Sequence, residues 1–81
     1  MNETELKDII LSELAKVARG TEPGELDLDE DVREGLDIDS FDQLNFYIAL
    51  HERLGVEIPE KDYGKLTTIN EILQYLAAVK V

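Results

Sequence analysis

Apolar residues recur at three- and four-residue intervals along most of the chain, which reads as helices and loops and not as strands. Between Thr4 and Arg19, the residues Leu6, Ile9, Ile10, Leu14 and Val17 build one apolar stripe on a helix. Asn2, three residues before Glu5, or Thr4 itself offers an N-cap, and Gly20 is a natural stop. A second helix is predicted from Ser40 to Leu54, with Asp39 as the capping side chain and Gly55 just past the end. Its Phe46, Leu50 and Leu54 lie four apart and face a core, while Leu44, Tyr47 and Ile48 widen the stripe toward a second surface. Pro59 permits a short helical turn over residues 60–63, ended by Gly64. A final helix starts after Thr68, whose spacing to Glu71 makes a capping box, and it carries Ile69, Ile72, Leu73, Leu76 and Val79 inward.

Residues 20–37 contain Pro23, Gly24, Gly35 and a dense acidic run, and read as a long connecting loop pinned inward by Leu26, Leu28, Val32 and Leu36. A loop of that length in a compact domain needs a reason, and crossing the molecule to place the next helix supplies one. The expected fold is therefore all-α: a small four-helix bundle with three main helices, one short third helix and a long loop between helices one and two. At 81 residues the chain is expected to form a single domain, 1–81, with one modest core.

Composition narrows the class. The chain has no Cys, so neither a disulfide nor a thiolate metal site holds the fold together, and a reducing cytoplasm is the simplest compartment. Its first residues are acidic where a signal peptide is basic, and no apolar run nears the roughly 20 residues needed to span a bilayer. Nineteen acidic side chains against eight basic ones give a formal net charge of −11. That charge repels nucleic acid and anionic lipid, so neither nucleic-acid binding nor membrane insertion is expected. It either steers the protein to basic patches on other proteins or serves solubility alone; charge by itself does not separate the two.

Candidate chemistry concentrates at Asp37-Ile38-Asp39-Ser40-Phe41-Asp42. A Ser in the first turn of a helix is exposed beside unpaired backbone N–H groups and the positive end of the helix dipole, a favourable place for an anion. The plainer reading is that Ser40 only caps the helix, although Asp39 already fills that role. A nucleophilic Ser needs a base within reach, and the only His, His51, lies eleven residues along the same helix, roughly 16 Å away at 1.5 Å per residue. His51 is expected to be a solvated surface residue. Asp27, Asp29 and Asp31 have the spacing that opens a calcium loop, but Val32 and Ile38 stand where that loop needs Gly and Glu, so no metal site is assigned.

The Asp39-Ser40-Phe41 triplet opening a helix resembles the attachment signature of acyl and peptidyl carrier proteins. Gly35-Leu36 ahead of the Ser, Ala49-Leu50 within the second helix, and Glu57-Ile58-Pro59 followed by Lys65-Leu66-Thr67-Thr68-Ile69 extend the resemblance over essentially the whole chain, in order and with family-like spacing. It implies a non-catalytic carrier of acyl intermediates. In this family a phosphopantetheinyl transferase moves 4'-phosphopantetheine from coenzyme A to the Ser, here Ser40, and the arm's thiol holds the cargo as a thioester. It implies partner enzymes that transfer or elongate acyl groups in fatty-acid, polyketide or related biosynthesis and present basic docking patches to a monomeric carrier. The implied partner surface is Asp39, Phe41, Asp42, Tyr47 and Glu52.

The sequence departs from the fatty-acid carriers at Asn45, His51 and Arg53, which stand where acidic side chains are common, and at Phe41 after the Ser. Arg53 would oppose a basic partner, and the altered surface points to a specialised member of the family. The resemblance also implies an acyl cleft lined by Phe46, Leu50, Leu54, Ile58, Tyr63, Leu66 and Ile69. The Tyr63 ring, where a small residue is common, either narrows that cleft or completes the core. Two alternatives stay open: a peptidyl or aminoacyl carrier, and an unmodified acidic helical adaptor that binds basic partners.

Overall fold

The computed structural model describes residues 2–18 and 22–80. Three long helices form its frame: α1 (Glu3–Val17), α3 (Ser40–Leu54) and α4 (Ile69–Lys80), with a one-turn helix α2 (Val32–Gly35) in the connection between the first two. The fold is all-α, as the apolar periodicity predicts, and α1 packs against both α3 and α4. Leu6, Ile10 and Leu14 of α1, Phe46, Leu50 and Leu54 of α3, and Ile69, Ile72 and Leu76 of α4 are buried in one core cluster, which is the three-and-four spacing turned into a shared interior.

Local chemistry sets the helix ends. The Asn2 side chain accepts a hydrogen bond from the Glu5 N–H at 2.8 Å and caps α1. That helix stops at Val17 with Ala18 in extended conformation, short of the predicted Arg19; the expected Gly20 stop lies outside the described residues. Gly55 takes the left-handed conformation (φ 66°) that ends α3 and is costly for residues with a Cβ. At α4, Glu71 N–H donates to Thr68 Oγ1 while the Glu71 carboxylate accepts from the Thr67 and Thr68 N–H groups and the Thr67 hydroxyl. Those donors, led by the Thr67 hydroxyl, hold the Glu71 carboxyl below its ordinary pKa.

Three sequence expectations need correction. The long loop is not irregular throughout: residues Pro23–Glu25 form a 3-10 turn and Val32–Gly35 the helix α2, whose N-cap Asp31 accepts from the Arg33 and Glu34 N–H groups. Its middle is also tied to the start of α4, since Val32 N–H donates to Thr67 O (2.9 Å), Asn70 N–H to Leu28 O (3.0 Å) and Asn70 Nδ2 to Asp29 Oδ1 (2.7 Å). Single turns of this kind lack the periodicity that reveals a long helix. The short third helix is a 3-10 turn over Glu60–Lys65 that runs through Gly64. Val79, expected inside, is half exposed near the end of α4.

One buried charge joins the two longest helices. Glu13 is 4% exposed, yet it lies on the α1 face toward α3, where Arg53 Nη1 donates to its carboxylate at 2.8 Å and Lys16 Nζ at 3.1 Å. The Arg53 hydrogen bond lowers the Glu13 pKa against the opposing effect of burial. A carboxyl whose folded pKa is depressed stabilises the fold above its unfolded value of 4.5 and loses that contribution as pH falls through the folded value. Glu13→Gln is expected to lower stability at neutral pH by about 1 kcal/mol, because the Arg53 end is solvent-screened. In urea unfolding the gap between variant and wild type should shrink below about pH 4.

Gly35 is crowded: a Cβ there would overlap the Leu26 side chain, itself part of the core. Gly35→Ala is expected to cost about 1–3 kcal/mol by overpacking, visible as a lower urea midpoint.

Candidate functional site

The entry to α3 is built by a change of direction. Helix α2 ends with Asp37 in the left-handed region (φ 53°) and with the Ile38 N–H donating to Arg33 O at 3.1 Å. This is the six-to-one closure of a helix end, with Asp where Gly is usual. Asp tolerates that conformation better than most residues with a Cβ. Ile38 then turns into the core at 6% exposure, and two residues later the chain starts α3 at the surface with Ser40.

The cap frees Ser40. Asp39 Oδ1 accepts from the Asp42 N–H at 2.8 Å, and Asp42 Oδ2 in return accepts from the Asp39 N–H at 3.4 Å. This reciprocal box uses an Asp where Glu is usual and leaves the cap to Asp39, so the Ser40 hydroxyl is not needed for it. Ser40 is exposed, and its hydroxyl has no hydrogen-bond partner among the described residues. It stands in the first turn of a fifteen-residue helix, where backbone N–H groups lack intrahelical acceptors and the dipole favours an anion. That geometry fits a phosphodiester on Ser40.

The chain's other serine does not share it. Ser12 sits mid-helix in α1, and its hydroxyl accepts from Arg53 Nη1 at 3.3 Å. Nor is a base at hand for Ser40. The unbroken helix α3 keeps His51 roughly 16 Å away. The His51 Nδ1–H donates to Val56 O at 2.7 Å, a bond that requires the proton on Nδ1 because a carbonyl only accepts. His51 is thus exposed, as expected, but tethered across the end of its helix. In the acidic loop, Asp27, Asp29 and Asp31 each bond within the protein, to the Asp29 N–H, to Asn70, and to the start of α2.

The predicted partner residues divide. Phe41, 68% exposed, begins a stripe continued by Leu44 and Ile48, which are also large exposed apolar residues. Spacing of three and four puts them on one face beside Ser40, with Asp39, Asp42 and Glu52 on the same helix. Tyr47 does not belong to that surface. Its ring is 2% exposed and packs in the core against Phe46 and Tyr63, with ring centroids 5.6 and 4.4 Å away. The physical reason is its hydroxyl, which donates to Leu66 O at 2.6 Å and accepts from Gln43 Nε2 at 2.8 Å, so a polar group can be buried without being orphaned. Burial pushes the Tyr47 phenol up to about 12. Arg53, expected to repel basic partners, spends its charge on Glu13.

Phe46, Leu50, Leu54, Ile58, Leu66 and Ile69 are brought together in the interior, all buried, with Tyr63 half-buried at its edge. Sequence reasoning missed Glu13, Gln43 and the inward role of Tyr47. For Glu13 a signal existed: it adjoins Leu14 on the stripe side of α1.

The family model of the phosphopantetheine attachment site matches residues 5–76. The chain is similar to an acyl carrier protein of Rhodococcus erythropolis, 30% identical over 70 residues that cover 83% of this chain and 77% of that one. It is 29% identical over 76 residues to an acyl carrier protein of Campylobacter fetus, covering 94% and 92% of the two chains. A meromycolate extension acyl carrier protein of Mycolicibacterium aurum is 29% identical over 66 residues, 82% of this chain and 68% of that one.

Asp39→Ala removes the side-chain half of the cap and is expected to cost about 1 kcal/mol of stability. Faster amide hydrogen exchange at residues 40–43, with α1 little changed, would locate the loss.

Proposed function

The chain belongs to the phosphopantetheine attachment site family of acyl carrier proteins, whose members carry covalently attached 4'-phosphopantetheine, and on that premise we propose that Ser40 is the attachment point and that residues 1–81 form one carrier domain. The observation that carries this assignment is the exposed Ser40 hydroxyl, unpartnered among the described residues, at the N-terminus of α3. In the transfer, Ser40 Oγ attacks the coenzyme A phosphorus that bears the pantetheine arm, the pyrophosphate P–O bond on its far side breaks so that adenosine 3',5'-bisphosphate leaves, and the Ser40 proton passes to a base of the transferase. The arm supplies the thiol that a chain without Cys lacks. What the protein contributes is presentation: the first turn of α3 receives the phosphodiester charge, and the capping box keeps that turn formed before and after modification.

Asp39, Phe41, Asp42 and Glu52, extended by Leu44 and Ile48, form the surface read by partner enzymes in fatty-acid, polyketide or related biosynthesis. The apolar stripe contributes buried area and the carboxylates contribute steering toward basic patches. Tyr47 is excluded from that surface. With Asn45, His51 and Arg53 on α3 and Arg53 paired to Glu13, the docking helix carries fewer free charges than a strongly acidic one. This supports a specialised carrier with its own dedicated enzymes; the absence of Cys suits a reducing cytoplasm as its compartment. Among the described residues no helix is long and apolar enough to cross a membrane.

Incubation with coenzyme A and a broad-specificity phosphopantetheinyl transferase should add the mass of one phosphopantetheine to the wild type and none to Ser40→Ala. An arm added equally to Ser40→Ala, or none added to the wild type, would overturn the assignment; an adaptor that needs no arm predicts the latter, with partner binding indifferent to the substitution.

A further inference from the structure

We propose that Tyr47 and Tyr63 close the space between α3 and the Glu60–Lys65 turn as a bonded aromatic layer, so that this carrier keeps its cargo outside its interior and serves short or polar acyl groups. The inference rests on the reading of Ser40 as the attachment point.

A chain tethered at the start of α3 has two environments open to it, water and the apolar interior, and a long aliphatic chain enters any gap that opens at low cost. The interior behind α3 is made by Phe46 and Leu50 on the helix, facing Ile58, Leu66 and Ile69. Tyr47 lies seven residues from Ser40, about 10 Å along the helix, on the way to that interior. Its ring meets Tyr63 of the turn at 4.4 Å between centroids, with a 36° tilt, and fills the space an aliphatic chain would need. The layer is also bonded across the gap. Tyr47 Oη lies 2.6 Å from Leu66 O and 3.4 Å from Tyr63 O, one at each end of the last turn before α4, while Gln43 Nε2 donates to it from α3.

Parting α3 from the turn therefore breaks the Tyr47 hydrogen bonds in a buried place as well as displacing two rings. With burial holding the phenol's proton in place up to about 12, the hydroxyl stays a donor across the working pH range. The surface offers different company. A cavity of about 400 Å³ is lined by Asp31, Arg33, Glu34 and Ile38, the last only two residues before Ser40. A second, of about 350 Å³, is lined by Glu13, Lys16, Ala49, Glu52 and Arg53. Charged walls of this kind suit a polar group and offer an aliphatic chain little reason to leave water.

The test loads the Ser40 arm with a two-carbon or a twelve-carbon acyl group and compares melting temperatures. In the wild type the two forms should melt together, within about 1 °C. In Tyr63→Ala, which empties the half-buried side of the layer, the twelve-carbon form should melt higher than the two-carbon form by about 4 °C or more. Tyr47→Phe, which keeps the ring and removes the bonds to Leu66 and Gln43, should show a smaller gap of the same sign. A twelve-carbon chain that raises the wild-type melting temperature by that amount would overturn the proposal, as would a Tyr63→Ala protein indifferent to chain length. Because the chain has no other thiol, the same two acyl groups can be coupled to Ser40→Cys through a thioether arm of pantetheine length. This series tests the closed layer even if the transferase fails to modify Ser40, so the two readings fail separately.

Discussion

The polypeptide has to leave the interior at Ile38 and present a free hydroxyl two residues later, and the rest of the site depends on how it does so. Asp37 turns the backbone through the left-handed region, Ile38 anchors in the core, and Asp39 takes the cap of α3 together with Asp42. Each residue in this short run has a separate task. Were the cap left to Ser40, its hydroxyl would be held by a backbone N–H; with Asp39 in that place, the side chain at the mouth of the helix is available for chemistry.

The frame that holds this entry is redundant in a particular way. The core is an ordinary apolar interior, but two of its seams are closed by polar groups satisfied inside it, Glu13 by Arg53 and Lys16 between α1 and α3 and Tyr47 by Leu66 O and Gln43 between α3 and the turn, while Asn70 ties α4 to Asp29 and Leu28 of the long connection nearer the surface. Buried polar groups that find their partners fix one arrangement of helices among the several that apolar stripes alone would permit. This matters for a small domain carrying a large excess of negative charge, because self-repulsion loosens it and apolar contacts are non-directional.

The long helices and their ends were legible in the sequence because they rest on local signals. Asn2 and Glu5, Asp39 before Ser40, Gly55 after Leu54, and Thr68 with Glu71 all appear as caps or stops where their spacing places them. The all-α architecture and the burial of Phe46, Leu50, Leu54 and Ile69 follow from the same periodicity, whereas Leu66, outside the helices, was marked only by the family resemblance. What the sequence did not reveal depends on partners far along the chain. Tyr47 looks like a surface aromatic until Leu66 O, nineteen residues away, is there to receive its hydroxyl. Arg53 looks like a free cation until Glu13, forty residues before it, is folded against it. The 3-10 turn at Pro23–Glu25 and the helix α2 are too short to print a period, and the bonds that hold that segment come from α4.

The central claim is that the Ser40 hydroxyl stands ready at the start of α3 and that the fold need not move to accept an arm. Amide-resolved NMR of the protein before and after transferase treatment tests it most directly. The account predicts shifts confined to the end of α2 and the first turns of α3, with the amides of α1 and α4 unchanged. Shifts centred on Ser12, or spread through the core as the arm is added, would contradict it.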